Sequence, residues 1–150
     1  ETGGVMKVGL LLALVIAVAG QVLYHVMQKS VAPGAHPIIS LVIFYLVAAL
    51  ATLPLFWLFP MADTLAAEMA KLNWAVAGVA LSIVLIEIGF LLAYRAGGEL
   101  STAFVTTAAV VAISTLAIGV LLFGEMISIT KIGGVALCLA GIGLISVKTA

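Results

Sequence analysis

Apolar residues run along this chain in five blocks of about 20, each closed by polar or helix-breaking residues, and about 20 helical residues cross a hydrocarbon core. The first block, residues 8–27, is featureless aliphatic for two-thirds of its length. Its last third then places Gln21, Tyr24, His25 and Gln28 at i, i+3, i+4 and i+7, one helix face. Lys29 marks the water boundary, and Pro33, Gly34 and Pro37 make the next stretch a turn. The second block, 38–59, holds Tyr45 and, toward its end, Pro54, which removes a backbone hydrogen bond and predicts a kink; Trp57 is an interface anchor.

Residues 60–72 form the only long polar connection. Asp63 or Thr64 caps a short helix there, with Leu65, Met69 and Leu72 on one face, the pattern of a helix lying on a membrane surface. Asn73 caps the third block, 74–94, which breaks at Arg95-Ala96-Gly97-Gly98-Glu99. The fourth block, 102–123, stops at Gly124, and Ser128 or Thr130 caps the fifth, 131–147. That last helix carries Gly133, Ala136, Ala140 and Gly143 on one stripe and Gly134, Cys138 and Gly141 on another. Stripes of small residues let helix backbones approach closely, which predicts packing within or between subunits.

Composition settles the class. Of the 150 residues, 65% are hydrophobic and 8% charged, with a mean hydropathy of +1.41. Soluble domains carry about 25% charged residues, so the expectation is an all-α integral membrane protein. Five transmembrane helices and one interfacial helix form a membrane domain over residues 7–150. Residues 1–6 are a tail, in which Glu1-Thr2-Gly3-Gly4 reads as an added remnant. The first apolar block is too long for a signal-peptide core and ends in polar residues, so no cleavable leader is expected.

The net charge is zero and no basic cluster points to nucleic acid. A single cysteine, Cys138, excludes an intrachain disulfide and a cysteine-based metal site. No G-x-S-x-G, H-E-x-x-H or phosphate-cradling glycine loop is present, so neither an enzyme nor a cofactor is expected.

Call the amino-terminal side A and the other B. Five spans place Lys7, Lys71 and Lys131 on A and Lys29, Arg95 and Lys148 on B. Orientation follows the Lys/Arg excess, and here there is none, so both orientations are permitted. Glu87 lies about seven residues before Tyr94, roughly 10 Å in from side B at 1.5 Å per residue. Gln21, Tyr24, His25, Tyr45, Thr102, Thr106 and Thr107 fall in the same half, which predicts a polar cavity open toward B.

A carboxylate inside an apolar run is costly, and by default it marks a functional site that exchanges protons or binds cations. The alternative for Glu87 is a structural acid tied to His25 or Arg95, or one reaching back to the interface. For the threonines the alternative is back-bonding to their own helix carbonyls.

The stretches 93–111 and 121–144, with Gly124-Glu125, then Ile132-Gly133 and Ala140-Gly141, resemble the EamA-type repeat of the drug/metabolite transporter superfamily. The Tyr24 to Lys29 end of the first helix is similar to that repeat's opening, and the likeness covers residues 7–148. The resemblance implies one half of a ten-helix plan, in which two inverted five-helix repeats enclose a substrate site. It also implies kinship with the four-helix small multidrug resistance proteins, which work as antiparallel dimers and bind substrate and protons through a first-helix glutamate. Residues 15–20, the matching region here, contain no acid, so that role would fall to Glu87.

The expected function is a multi-pass secondary transporter subunit of the cytoplasmic membrane. It would move a small metabolite or organic cation, coupled to protons, as an antiparallel homodimer. The competing reading is an accessory membrane subunit without transport of its own, or part of a flippase for a lipid-linked substrate.

Overall fold

The computed structural model describes residues 2–146, with side chains from 7 to 144; Lys148 and Val147 lie outside the described residues, as does Glu1. Every regular element described is helical: α1 (Thr2–Ser30), α2 (Pro37–Thr52), a 3-10 turn (Leu53–Trp57), α3 (Leu65–Ala70), α4 (Trp74–Arg95), α5 (Leu100–Phe123) and α6 (Ile129–Ser146).

Local chemistry sets the helix ends. Pro37 opens α2, where its missing N–H costs nothing. Thr64 Oγ1 accepts from Ala67 N at 3.4 Å, and Asn73 Oδ1 accepts from Ala75 N at 2.9 Å. Ser128, of the two candidates, caps α6 by accepting from Lys131 N at 3.2 Å. Gly124 ends α5 at φ +64°, a conformation that costs other residues about 1–2 kcal/mol.

Pro54 marks where the second block leaves the α-helical pattern. The α-helical part of the second block stops at Thr52, and Leu53 N–H already reaches back three residues to Leu50 O. The chain then tightens into the 3-10 turn, because Pro54 has no proton to continue the α pattern. The first helix starts at Thr2, ahead of the expected residue 8, so the backbone of the tail from Thr2 onward is helical.

Four helical stretches are long and apolar enough to cross a membrane: Lys7–Ser30, Pro37–Trp57, Trp74–Arg95 and Leu100–Phe123. The last apolar helix, Ile129–Leu144, is shorter within the described residues. Only 6–11% of the residues in the four apolar windows are buried by the rest of the protein. Side chains such as Ile16, Leu50, Leu85 and Val111 are more than half exposed. The chain folds without covering its own apolar surface, as helices that face hydrocarbon do. Leu65 and Met69 of α3 and Leu72 just beyond it are each 60% exposed, while Lys71 pairs with Asp63 (2.7 Å) and Glu68 (2.9 Å). The hydrogen bonds to Asp63 and Glu68 raise the Lys71 pKa above its ordinary 10.5.

The chain divides into two compact units, Gln28–Ala96 and the combination of Glu1–Met27 with Gly97–Ala150. In the first, α2 packs against α4, with Leu41 and Leu91 buried. In the second, α5 packs against α6, and Ala109 and Gly119 of α5 are buried.

Candidate functional site

In the Gln28–Ala96 unit, the single carboxylate of α4 meets the end of α1. Gln28 Nε2 donates to Glu87 Oε2 at 3.1 Å and to the Glu87 backbone oxygen at 2.9 Å. Gln28 is only 4% exposed and Glu87 is half-buried. Both acceptors belong to one residue, so the amide nitrogen, with its two protons, must face Glu87. A bond to an ionised carboxylate is worth about 1.5–3 kcal/mol, more than an ordinary amide pair. This tie therefore holds the last turn of α1 on α4.

Aromatic and cationic groups gather toward the end of α4. Tyr45 of α2 is half-buried. One turn beyond Glu87, the rings of Phe90 and Tyr94 stack at 5.9 Å, and Lys29 Nζ stands 5.8 Å from the Tyr94 ring centre. Arg95 Nη2 donates to Ala35 O at 2.6 Å, which fastens the end of α4 to the α1–α2 turn. Its Nε is buried with no acceptor among the described residues. Gln28, Lys29, Leu91, Tyr94 and Arg95 line a recess of about 40 Å³. That has room for a water molecule, whereas metabolite pockets run to about 300–1,000 Å³.

In the other unit, His25 is 7% exposed and lies between rings: Phe104 of α5 at 4.6 Å and its neighbour Tyr24 at 4.8 Å. Gln21 and Thr106 are exposed. Thr107 Oγ1 donates to Ala103 O (2.8 Å) and Phe104 O (3.0 Å) of its own helix, so its proton is spent there. Thr102 Oγ1 donates to Glu99 Oε2 at 3.3 Å, across the first turn of α5.

The α6 stripes also separate. Gly134 and Cys138, both exposed, line an open groove beside α5, and Gly141 is half-buried. Gly133, Ala136, Ala140 and Gly143 are exposed. Among the described residues, no three of His, Cys, Asp and Glu gather in a way that could hold a metal ion.

Gln28 is the residue that the sequence placed on the polar face yet assigned to the helix end, beside Lys29. Its signal was the i, i+3, i+4, i+7 spacing itself. Replacing it is expected to be costly. Gln28→Leu removes both bonds and should destabilise the protein by about 1–3 kcal/mol, lowering the thermal midpoint in detergent by several degrees. An unchanged midpoint would show that the tie carries no stability.

No protein-family model matches the chain, and neither curated proteins nor solved structures yield a significant match.

Proposed function

We propose that this chain is one half of a secondary transporter, a multi-pass protein of the cytoplasmic membrane that works as an antiparallel homodimer. Its cargo is a small metabolite or organic cation, moved in exchange for protons at Glu87. The observation that carries the reading is the Gln28–Glu87 tie, a carboxylate joined to a neighbouring helix within a run of apolar residues. The EamA-like residue pattern agrees with it, and α6 supplies the fifth span, leaving the chain's two ends on opposite sides of the membrane.

The chemistry follows from the bond. With Glu87 ionised, the Gln28 amide makes a charge-assisted bond; a proton on the carboxylate reduces it to a neutral one about half as strong. A bound cation competes for the same oxygen. Proton and cargo thus act on one contact, between the end of α1 and α4, and each loosens it. The recess beside that contact is too small for a metabolite, so a second copy completes the substrate site. Inverted repeats meeting at a shared site are the standard architecture for alternating access.

The test is flux through liposomes holding the purified chain alone, with cargo candidates first ranked by the thermal shift they produce. Cargo movement that dissipates an imposed pH gradient is the expected result. Flux that appears only when a second protein is added would make the chain an accessory subunit.

A further inference from the structure

A second feature lies within the α5–α6 unit and is not used by the transport reading. Between the two helices runs a groove of about 580 Å³. Ala112 and Leu116 of α5 and Val135 and Cys138 of α6 give it apolar walls, and Gly134 leaves it open by having no side chain. Thr115, its one hydroxyl, donates to Val111 O at 2.8 Å and Ala112 O at 3.1 Å of its own helix. The walls therefore offer no unspent O–H proton to an occupant.

The mouth is different. Glu125 and Lys131 stand there with Oε2 and Nζ 3.9 Å apart, beyond hydrogen-bond distance, and both about half exposed. Glu125 is positioned rather than loose. Its N–H returns to Gly119 O at 3.0 Å, and its carboxylate lies over Gly119, where a Cβ would come within 3.0 Å of Oε2. Lys131 Nζ donates to Met126 O at 3.3 Å. Cys138 is seven residues along α6 from Lys131, so the groove runs roughly 10 Å inward from the charged mouth.

We propose that this groove seats a phospholipid with an ethanolamine headgroup. Its phosphate meets Lys131, its ammonium meets Glu125, and one acyl chain lies along the apolar walls. Hydrocarbon is the natural filling, because an empty groove forfeits the dispersion contacts of every atom that lines it. The paired charges select the head. A purely anionic headgroup meets Lys131 but is repelled by Glu125. A choline head carries no N–H proton for the carboxylate, whereas a primary ammonium carries three, so ethanolamine is the best match.

The test is native mass spectrometry of the purified chain in detergent, titrated with phosphatidylethanolamine, phosphatidylcholine and phosphatidylglycerol of identical acyl chains. Phosphatidylethanolamine is expected to bind severalfold more tightly than the other two. Glu125→Gln should erase that preference and strengthen phosphatidylglycerol, whereas Lys131→Gln, which removes the phosphate contact common to all three, should weaken all three lipids. Gly134→Leu should fill the groove and displace all three. The unaltered protein supplies an independent readout, since Cys138 is its only cysteine. Phosphatidylethanolamine should slow the reaction of this thiol with a small methanethiosulfonate severalfold more than phosphatidylcholine does. Equal binding of all three lipids, or thiol protection indifferent to headgroup, would overturn the proposal. So would Gly134→Leu breaking a dimer while lipid binding stays intact, which would make the groove a seam between copies.

Discussion

Glu87→Gln should reduce pH-driven flux to the level of protein-free liposomes while leaving the protein folded. The substitution keeps the shape of the side chain and leaves an acceptor oxygen for the Gln28 amide, now 3.1 Å from Oε2. What it removes is the charge and the titrating proton. Exchanging a charge-assisted for a neutral bond costs about 1 kcal/mol, a few degrees of thermal midpoint at most for a chain of this size. Folding and coupling are thereby separated: detergent melting should barely move and transport should stop. The predicted contrast with Gln28→Leu is informative, because that change weakens the tie but keeps the titrating group, so it should lower stability more than it abolishes coupling. A Glu87→Gln protein that still transports and responds to a pH gradient like the parent would remove Glu87 from the mechanism.

Orientation provides the second large effect. On the five-span reading proposed above, three basic residues fall on each side and insertion has no preferred direction, so a single gene product is expected in both orientations. Glu87 lies nearer one membrane face by its position along α4. Two copies in opposite orientation place their glutamates in an inverted relation about the midplane, the arrangement of repeat-built transporters. A parallel pair places both in the same half. Adding two or three lysines to the loops of one side should fix orientation, which single engineered cysteines near Lys7 and in the 60–72 connection would report in a Cys138→Ser background. Each fixed version alone should lose nearly all flux, and co-expression of oppositely fixed versions should restore it. Full flux from one fixed version would exclude the antiparallel dimer.

The sequence already contained most of the helical architecture. Asn73, Ser128 and Gly124 punctuate helices for local reasons: two side-chain oxygens reach orphan N–H groups, and one glycine takes a positive φ. These interactions span a few residues, and a reader of the chain can see them. Pro54 shows the limit even locally. A missing N–H predicts disruption, but that the chain continues as a 3-10 turn depends on what the following residues can bond.

Glu87 was visible as well, since a carboxylate among leucines and isoleucines stands out by its cost alone. Its partner was not. Gln28 lies 59 residues away, and although it sits on the polar face at the end of α1, α4 is apolar nearly all round, so nothing in either segment announces that the two meet. The same reasoning covers the α6 stripes: small residues on two faces say that something can approach closely, and only packing put Gly134 and Cys138 on the open groove beside α5. What the chain determined by itself was therefore its class, its helix ends and its costly acid, all set by local bonding and by transfer from water. Tertiary structure alone decided who meets that acid and which groove is left open. Those outcomes depend on the rotation and register of one uniformly apolar helix against another, and no single helix encodes them.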